Sequence, residues 1–193
     1  MIVIIFSCWV ANRMKLKGVI LLAAMLPVVT GCGMLYGLNR SASDRPALLV
    51  AYYIIAFLFS ANPILLAWAV GNTAGTTKKS VTLSFYQAGT SAGALIGPLL
   101  FNANQAPEYR PAIAGVLGVF VAMIVLIVLQ LLNLMRLNKK QIKRRIANGK
   151  SGVIVDQSMT THVLAEKTQD VLDEPTAVLD LTDKENDEFV YVY

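Results

Sequence analysis

Five polar or aromatic side chains stand inside otherwise apolar stretches of this sequence: Asn62, Trp68, Asn72, Tyr86 and Gln87. Hydrocarbon offers amides and hydroxyls no partner, so such groups must bond to another helix or line a polar cavity. Amide donors and a phenol hydroxyl could face such a cavity, and an indole could line its apolar part. Asn62, Trp68, Tyr86 and Gln87 are therefore the candidate substrate-binding group, with helix-to-helix contact as the competing role for each. Other chemistry has few carriers. Cys8 and Cys32 lie in apolar sequence without ligand spacing, His162 stands alone in a polar region, and no Asp, Glu or His falls inside the long apolar runs. A metal centre, a His-based triad and a membrane enzyme each need several converging groups that this sequence does not supply. Neither a cofactor nor catalysis is expected.

The elements that must position these residues are read from the apolar runs. Of 193 residues, 55% are apolar and 15% charged, with mean hydropathy +0.57, which is a membrane composition. Uncharged runs cover 1–12, 18–39, 46–77, 80–107 and 111–135, and a membrane helix needs about 20 mainly apolar residues. Full spans are expected near 18–38, 48–71, 81–101 and 112–135. The first run covers only about 18 Å, against a hydrocarbon core of roughly 30 Å, and reads as the end of a further helix. Pro63, directly after Asn62, is expected to break its helix, and Pro27 to bend the preceding one. Gly71 with Gly75, and Gly89, Gly93 and Gly97, repeat every four residues, as do Gly33 and Gly37; such faces permit close helix packing.

The net charge of +5 conceals a division, since residues 1–150 hold 15 basic and 2 acidic side chains whereas residues 151–193 hold 2 and 10. Alternation through the spans gathers Arg13, Lys15 and Lys17, Lys78 and Lys79, and the cluster Arg136 to Arg145 on one side. Arg40, Arg45 and Arg110 fall on the other, partly balanced by Asp44 and Glu108. The positive-inside rule then places the first group and the C-terminus in the cytosol. The cluster directly after the last span reads as topology control or contact with anionic headgroups, and no nucleic-acid partner is expected. Two regions follow: a bundle over 1–145 and an acidic, mostly flexible cytosolic tail over 146–193. Within the tail, Thr182 and Glu185 have capping-box spacing. Phe189, Tyr191 and Tyr193 stand out there as groups for a partner to engage.

Three segments in order, NPILLAWAVGNTAGTTKKS, GALIGPLLFNANQAPEYR and DLTDKENDEFVYVY, resemble the C-terminal third of fungal allantoate permease-type transporters, in the anion:cation symporter branch of the major facilitator superfamily. The fold class this implies is all-α: a polytopic membrane bundle, a partial major facilitator fold with four full spans and the end of another. Residues 1–10 resemble the end of helix eight and the four spans helices nine to twelve, so an N-terminal transporter half is expected as the missing partner. WVANR, at 9–13, is similar to the family's cytosolic gate motif, which implies gating roles for Arg13 and Lys17; Asn12 stands where an acidic residue is usual. Asn72, Gly75, Thr77 and Lys78 match the loop after helix ten, with Lys79 in place of an arginine, and Ala94 replaces an asparagine beside Gly93. The resemblance implies a secondary carrier of the fungal plasma membrane that moves a small organic anion or carboxylate with a proton when complete. The alternative is a degenerate, nontransporting membrane protein acting as an interaction or structural module.

Overall fold

The computed structural model describes residues 2–14, 16–149, 182–183 and 189–193. The chain forms α1 (Ile2–Met14), α2 (Lys17–Gly37), α3 (Arg45–Ile55), α4 (Leu58–Gly71), α5 (Thr76–Leu99) and α6 (Arg110–Ala147), with a 3₁₀ turn at Ala103–Gln105 before α6. Three segments among the described residues are long and apolar enough to cross a membrane: Lys17–Gly37, Arg45–Gly71 and Arg110–Ala147. The protein is thus an all-α, membrane-spanning helical bundle. The expected spans at 18–38, 48–71 and 112–135 fall on these three segments. The one at 81–101 falls largely on α5, whose 24 residues reach about 36 Å but are less apolar, because its first half carries Lys78, Lys79 and a succession of hydroxyls.

Helix α2 is the hub, in contact with α1, α3, α4 and α6. Its buried residues Gly18, Leu21, Met25, Val28, Cys32 and Leu35 alternate steps of three and four, the spacing that keeps one seam facing its neighbours. Leu21, Met25 and Val28 pack with Ala61, Ile64 and Trp68 of α4 and with Ile127 and Leu134 of α6, while Cys32 and Leu35 meet Ala51 of α3 and Ile113 of α6. Lipid tails are as apolar as these side chains, so association depends on close fit rather than on escape from water. Two glycines provide that fit. A Cβ at Gly18 would lie 2.5 Å from Leu131 Cδ2 and 2.9 Å from Trp68 Cζ2, and one at Gly31 would lie 2.9 Å from the Ala51 carbonyl oxygen.

The glycines marked by four-residue spacing are placed differently. A Cβ at Gly33, Gly37, Gly89, Gly93 or Gly97 meets nothing within 4 Å, and α5 has no buried residue at all. The helix break is also displaced from its expected position at Asn62-Pro63. Pro63 cannot donate to the Phe59 carbonyl and its ring crowds that group, yet it lies inside α4. The chain instead tightens one turn earlier: the N–H groups of Phe57, Phe59 and Ser60 donate three residues back, to Ile54, Ala56 and Phe57, at 3.1, 3.1 and 2.9 Å. The buried Ser60 hydroxyl adds a 2.7 Å bond to the Phe57 carbonyl. Pro27 lies within α2, which runs on without a break.

Gly31→Leu is expected to force α2 and α3 apart at a backbone oxygen, costing about 2–3 kcal/mol, whereas Gly93→Ala enters open space and is expected to change stability by less than about 0.5 kcal/mol. Melting of the detergent-solubilised chain, followed by loss of the monodisperse species on heating, checks the contrast; equal melting of the two variants would contradict it.

Candidate functional site

The helix ends gather at two faces. One holds the ends of α1 and α4, the starts of α2 and α5, and the basic extension of α6. Helix α4 stops at Gly71, where Asn72 leaves helical geometry and its Nδ2 donates back to the Trp68 carbonyl at 2.9 Å. Gly75 then takes φ +88°, a conformation strained for residues with a Cβ, and turns the chain into α5. Its carbonyl accepts the Lys79 N–H at 2.9 Å, which sets Lys78 in the first turn. Helix α6, 38 residues long, reaches about 57 Å and so outruns a hydrocarbon core of roughly 30 Å. Its buried stripe continues past the apolar run through Leu134, Asn138, Gln141 and Arg145.

Between α4 and α6 lies the end of the chain itself. The Tyr191 N–H donates to Asn138 Oδ1 at 2.9 Å, and Asn138 Nδ2 donates to the Tyr191 carbonyl at 2.8 Å. One residue on, the Val192 N–H donates to Asn72 Oδ1 at 2.8 Å, while the Val192 carbonyl accepts Asn72 Nδ2 at 3.0 Å and the Trp68 indole N–H at 2.9 Å. Successive residues of an extended strand turn their hydrogen-bonding groups to opposite sides. The two asparagine amides therefore grip the two edges of one segment, each standing in for the peptide group of a neighbouring strand. Only a carboxamide offers both donor and acceptor for this.

Side chains complete the clamp. Tyr191 is buried within the α2–α4–α6 core cluster, with Phe189 edge-on to its ring at a centroid distance of 5.0 Å. Its hydroxyl donates to Asp183 Oδ2 at 2.7 Å, and the other Asp183 oxygen pairs with the Lys78 ammonium. Burial alone would raise the Asp183 pKa, but the hydrogen bonds from Lys78 and Tyr191 and the Lys78 charge outweigh it and hold the carboxyl below its ordinary range. Burial, reinforced by the Asp183 carboxylate, pushes the Tyr191 phenol upward.

The sequence-marked residues are distributed as follows. Trp68 is buried and its N–H is committed to Val192. Asn62 and Gln87 are exposed and Tyr86 is half-buried, and no hydrogen bond among the described residues joins the four candidates. On α5 the hydroxyls of Ser80, Thr82, Ser84 and Thr90 each donate to the carbonyl four residues back, at 2.9–3.0 Å, so they need no polar cavity. Arg13 is exposed. Lys17 brings its ammonium over the last turn of α4, 3.4 Å from where a Gly71 Cβ would sit, and a cation at a helix C-terminus is favourably placed. Phe189, Tyr191 and Tyr193, foreseen as groups for a partner to engage, pack against the chain's own bundle. The Thr182–Glu185 capping box lies outside the described residues. Sequence reading passed over Asn138, although it continues the helical stripe of Leu134. It also passed over the strand signal in FVYVY, which is β-branched and aromatic throughout.

At the opposite face, Glu108 accepts Arg110 Nε at 3.0 Å, Arg110 also reaches Asn39 Oδ1 at 3.2 Å, and Arg40 donates to the Glu108 carbonyl at 3.4 Å. The two loops expected to share a side are thus tied together. Beside them is a mainly apolar cavity of about 310 Å³ lined by Leu35, Tyr52, Phe101, Tyr109 and Phe120, with Arg40 on its wall. Among the described residues no group of His, Cys, Asp and Glu is placed to hold a metal ion.

No family model and no solved structure matches the chain. Two curated proteins of Schizosaccharomyces pombe are similar to it. Uncharacterized transporter C417.10 is 35% identical over 96 residues, 49% of this chain and 19% of that protein. Uncharacterized transporter C11D3.18C is 26% identical over 141 residues, 72% of this chain and 28% of that protein. The chain thus spans less than a third of either relative. With its crossing segments, this distant homology marks a transporter-like, membrane-embedded protein.

Retention of the tail is expected to depend on pH in two windows. Ionised Asp183 favours the clamp, fully so above the ordinary carboxylate pKa of about 4, and this support is lost as pH falls through the depressed value. Neutral Tyr191 also favours it, fully so below the ordinary phenol pKa of about 10, and this is lost as pH rises beyond. A dye on Tyr193→Cys in a Cys8→Ser background is expected to show steady anisotropy between these limits and lower anisotropy outside them. With Asp183→Asn the acid limb is expected to vanish; an acid limb that persists would contradict the assignment.

Proposed function

We propose that the helices of this chain form the C-terminal part of a secondary carrier for a small organic anion or carboxylate, coupled to protons, in a fungal plasma membrane with the C-terminus cytosolic. The observation that carries this reading is likeness over 141 residues to a protein named a transporter, in a chain with three crossing segments. In this carrier α5 is the fourth span, and its back-bonded hydroxyls are compatible with lipid or with a polar path. Tyr86 and Gln87 reach the solute through a hydroxyl and an amide, and Asn62 contributes a second amide, while Trp68 stays in the core with its N–H on Val192. Arg13 and Lys17 serve the cytosolic gate with Gly71 and Gly75 at the turn between α4 and α5, and Gly89, Gly93 and Gly97 give a smooth face to helices supplied by the other transporter half. The spans hold no Asp, Glu or His, so the proton site of the carrier belongs to those other helices. Binding near the midplane between two halves, with alternating exposure, follows from such a design.

Uptake into proteoliposomes tests this. The chain alone is expected to accumulate no labelled carboxylate above empty vesicles. Co-expressed with the remaining sequence of C11D3.18C, it is expected to give accumulation driven by an alkaline interior. Gln87→Ala is the clean probe of the solute contact, because Gln87 is exposed and outside the tail clamp; loss of one polar contact, about 1.4 kcal/mol, lowers uptake about tenfold. Absence of accumulation in the combined vesicles would instead favour the nontransporting, structural reading.

A further inference from the structure

The clamp has the design of a ligand site rather than of a core. At Tyr191 and Val192 its polar atoms belong to side chains at the end of α4 and on α6, whereas the tail atoms bonded to them are main-chain groups. The two asparagines and the indole supply the partners of the main chain at Tyr191 and Val192. Side-chain selectivity is added at one position, where the Tyr191 ring enters the core cluster and its hydroxyl finds Asp183. These are the ingredients of extended-peptide recognition, main-chain bonds for affinity and a pocket for an alternate side chain for selection.

We propose that Trp68, Asn72 and Asn138 form a binding site for an extended peptide, and that its ligand, the chain's own segment 189–193, is releasable. One feature supports release and another supports return. The site lies where α4 ends and α6 has passed its apolar run, so water can satisfy both amides and the indole once the tail departs. The stretch before the ligand segment is acidic, with ten Asp and Glu over 151–188, while the α6 extension beside the site carries six basic side chains from Arg136 to Arg145, which attracts the tail back at low ionic strength. While seated, the tail joins α4 to α6, and Asp183 adds α5 through Lys78.

The test changes the ligand and leaves the site intact. Val192→Pro in the full chain removes the N–H that Asn72 accepts and makes the tethered tail a poor competitor. This chain in detergent micelles is expected to bind a fluorescein-labelled synthetic peptide of residues 182–193 saturably, at least tenfold more tightly in apparent affinity than the wild-type chain, whose own tail occupies the site. Adding Asn138→Asp, which removes a donor while keeping shape, is expected to weaken binding at least tenfold, and a Tyr191→Phe peptide is expected to bind more weakly than the natural one. Circular dichroism and a monodisperse elution profile establish that each variant is folded before it is scored. Equal binding by wild-type and Val192→Pro chains, no saturable binding by Val192→Pro, or binding indifferent to Asn138→Asp would overturn the proposal. The assay contains no transported solute, so its outcome is independent of carrier activity.

Discussion

Hydrocarbon offers a polar group no partner and gives apolar helices no solvent-driven reason to associate. That double constraint shapes this chain from one end to the other. It explains why α2 meets α3 and α6 through small residues and a regular seam, and why the hydroxyls of Thr30 and α5 return to their own helix carbonyls. It also explains why the one concentrated set of amides on α4 and α6 stands where the spans end and is answered by the extended C-terminus. A typical hydrogen bond contributes only about 1 kcal/mol net, but leaving such a group buried without a partner costs about 1–3 kcal/mol. A clamp of five main-chain bonds is therefore held less by the strength of any one bond than by the cost of vacating part of it.

The spans were legible because length and apolarity are properties of contiguous sequence. The starts and ends of α2 and of the α3–α4 segment fall close to the boundaries read from uncharged runs. Contacts between distant residues were not legible in the same way. Trp68 and Asn72 were read as a solute contact and a family loop residue, yet their bonds run to Val192, 124 and 120 positions away. Asn138 was hidden inside a basic cluster whose charges drew attention to topology. Glycine spacing marked Gly89, Gly93 and Gly97, while the glycines that meet neighbours closely are Gly18 and Gly31, whose signal was the seam of apolar residues between them. Proline marked the right helix but the wrong turn, because the strain was taken up around Ala56 and Phe57.

The two faces of the bundle divide the work. At the Arg40 face, the Arg110–Glu108 ion pair, hydrogen bonds from Arg40 and Arg110, and the 3₁₀ turn fasten the loops that lead into α3 and α6. At the Lys78 face, the turn through Gly75 leaves α5 joined to the rest by a short connection and by the Lys78–Asp183 pair. Helix α5 carries Tyr86 and Gln87 and buries none of its residues in this chain, so the helix bearing two of the proposed solute contacts is also the one least fixed by its own bundle. The tail clamp consequently holds the ends of the helices on which the proposed carrier path depends.

The central structural claim is that the C-terminal segment 189–193 occupies the space between Asn72 and Asn138. Hydrogen exchange at the Tyr191 and Val192 amides of the full chain in micelles tests it most directly, with the free 182–193 peptide as the reference. The account predicts that both amides exchange at least about tenfold more slowly in the chain than in the peptide, since each is bonded to a carboxamide oxygen held by a helix. Exchange of both at the free-peptide rate would contradict it.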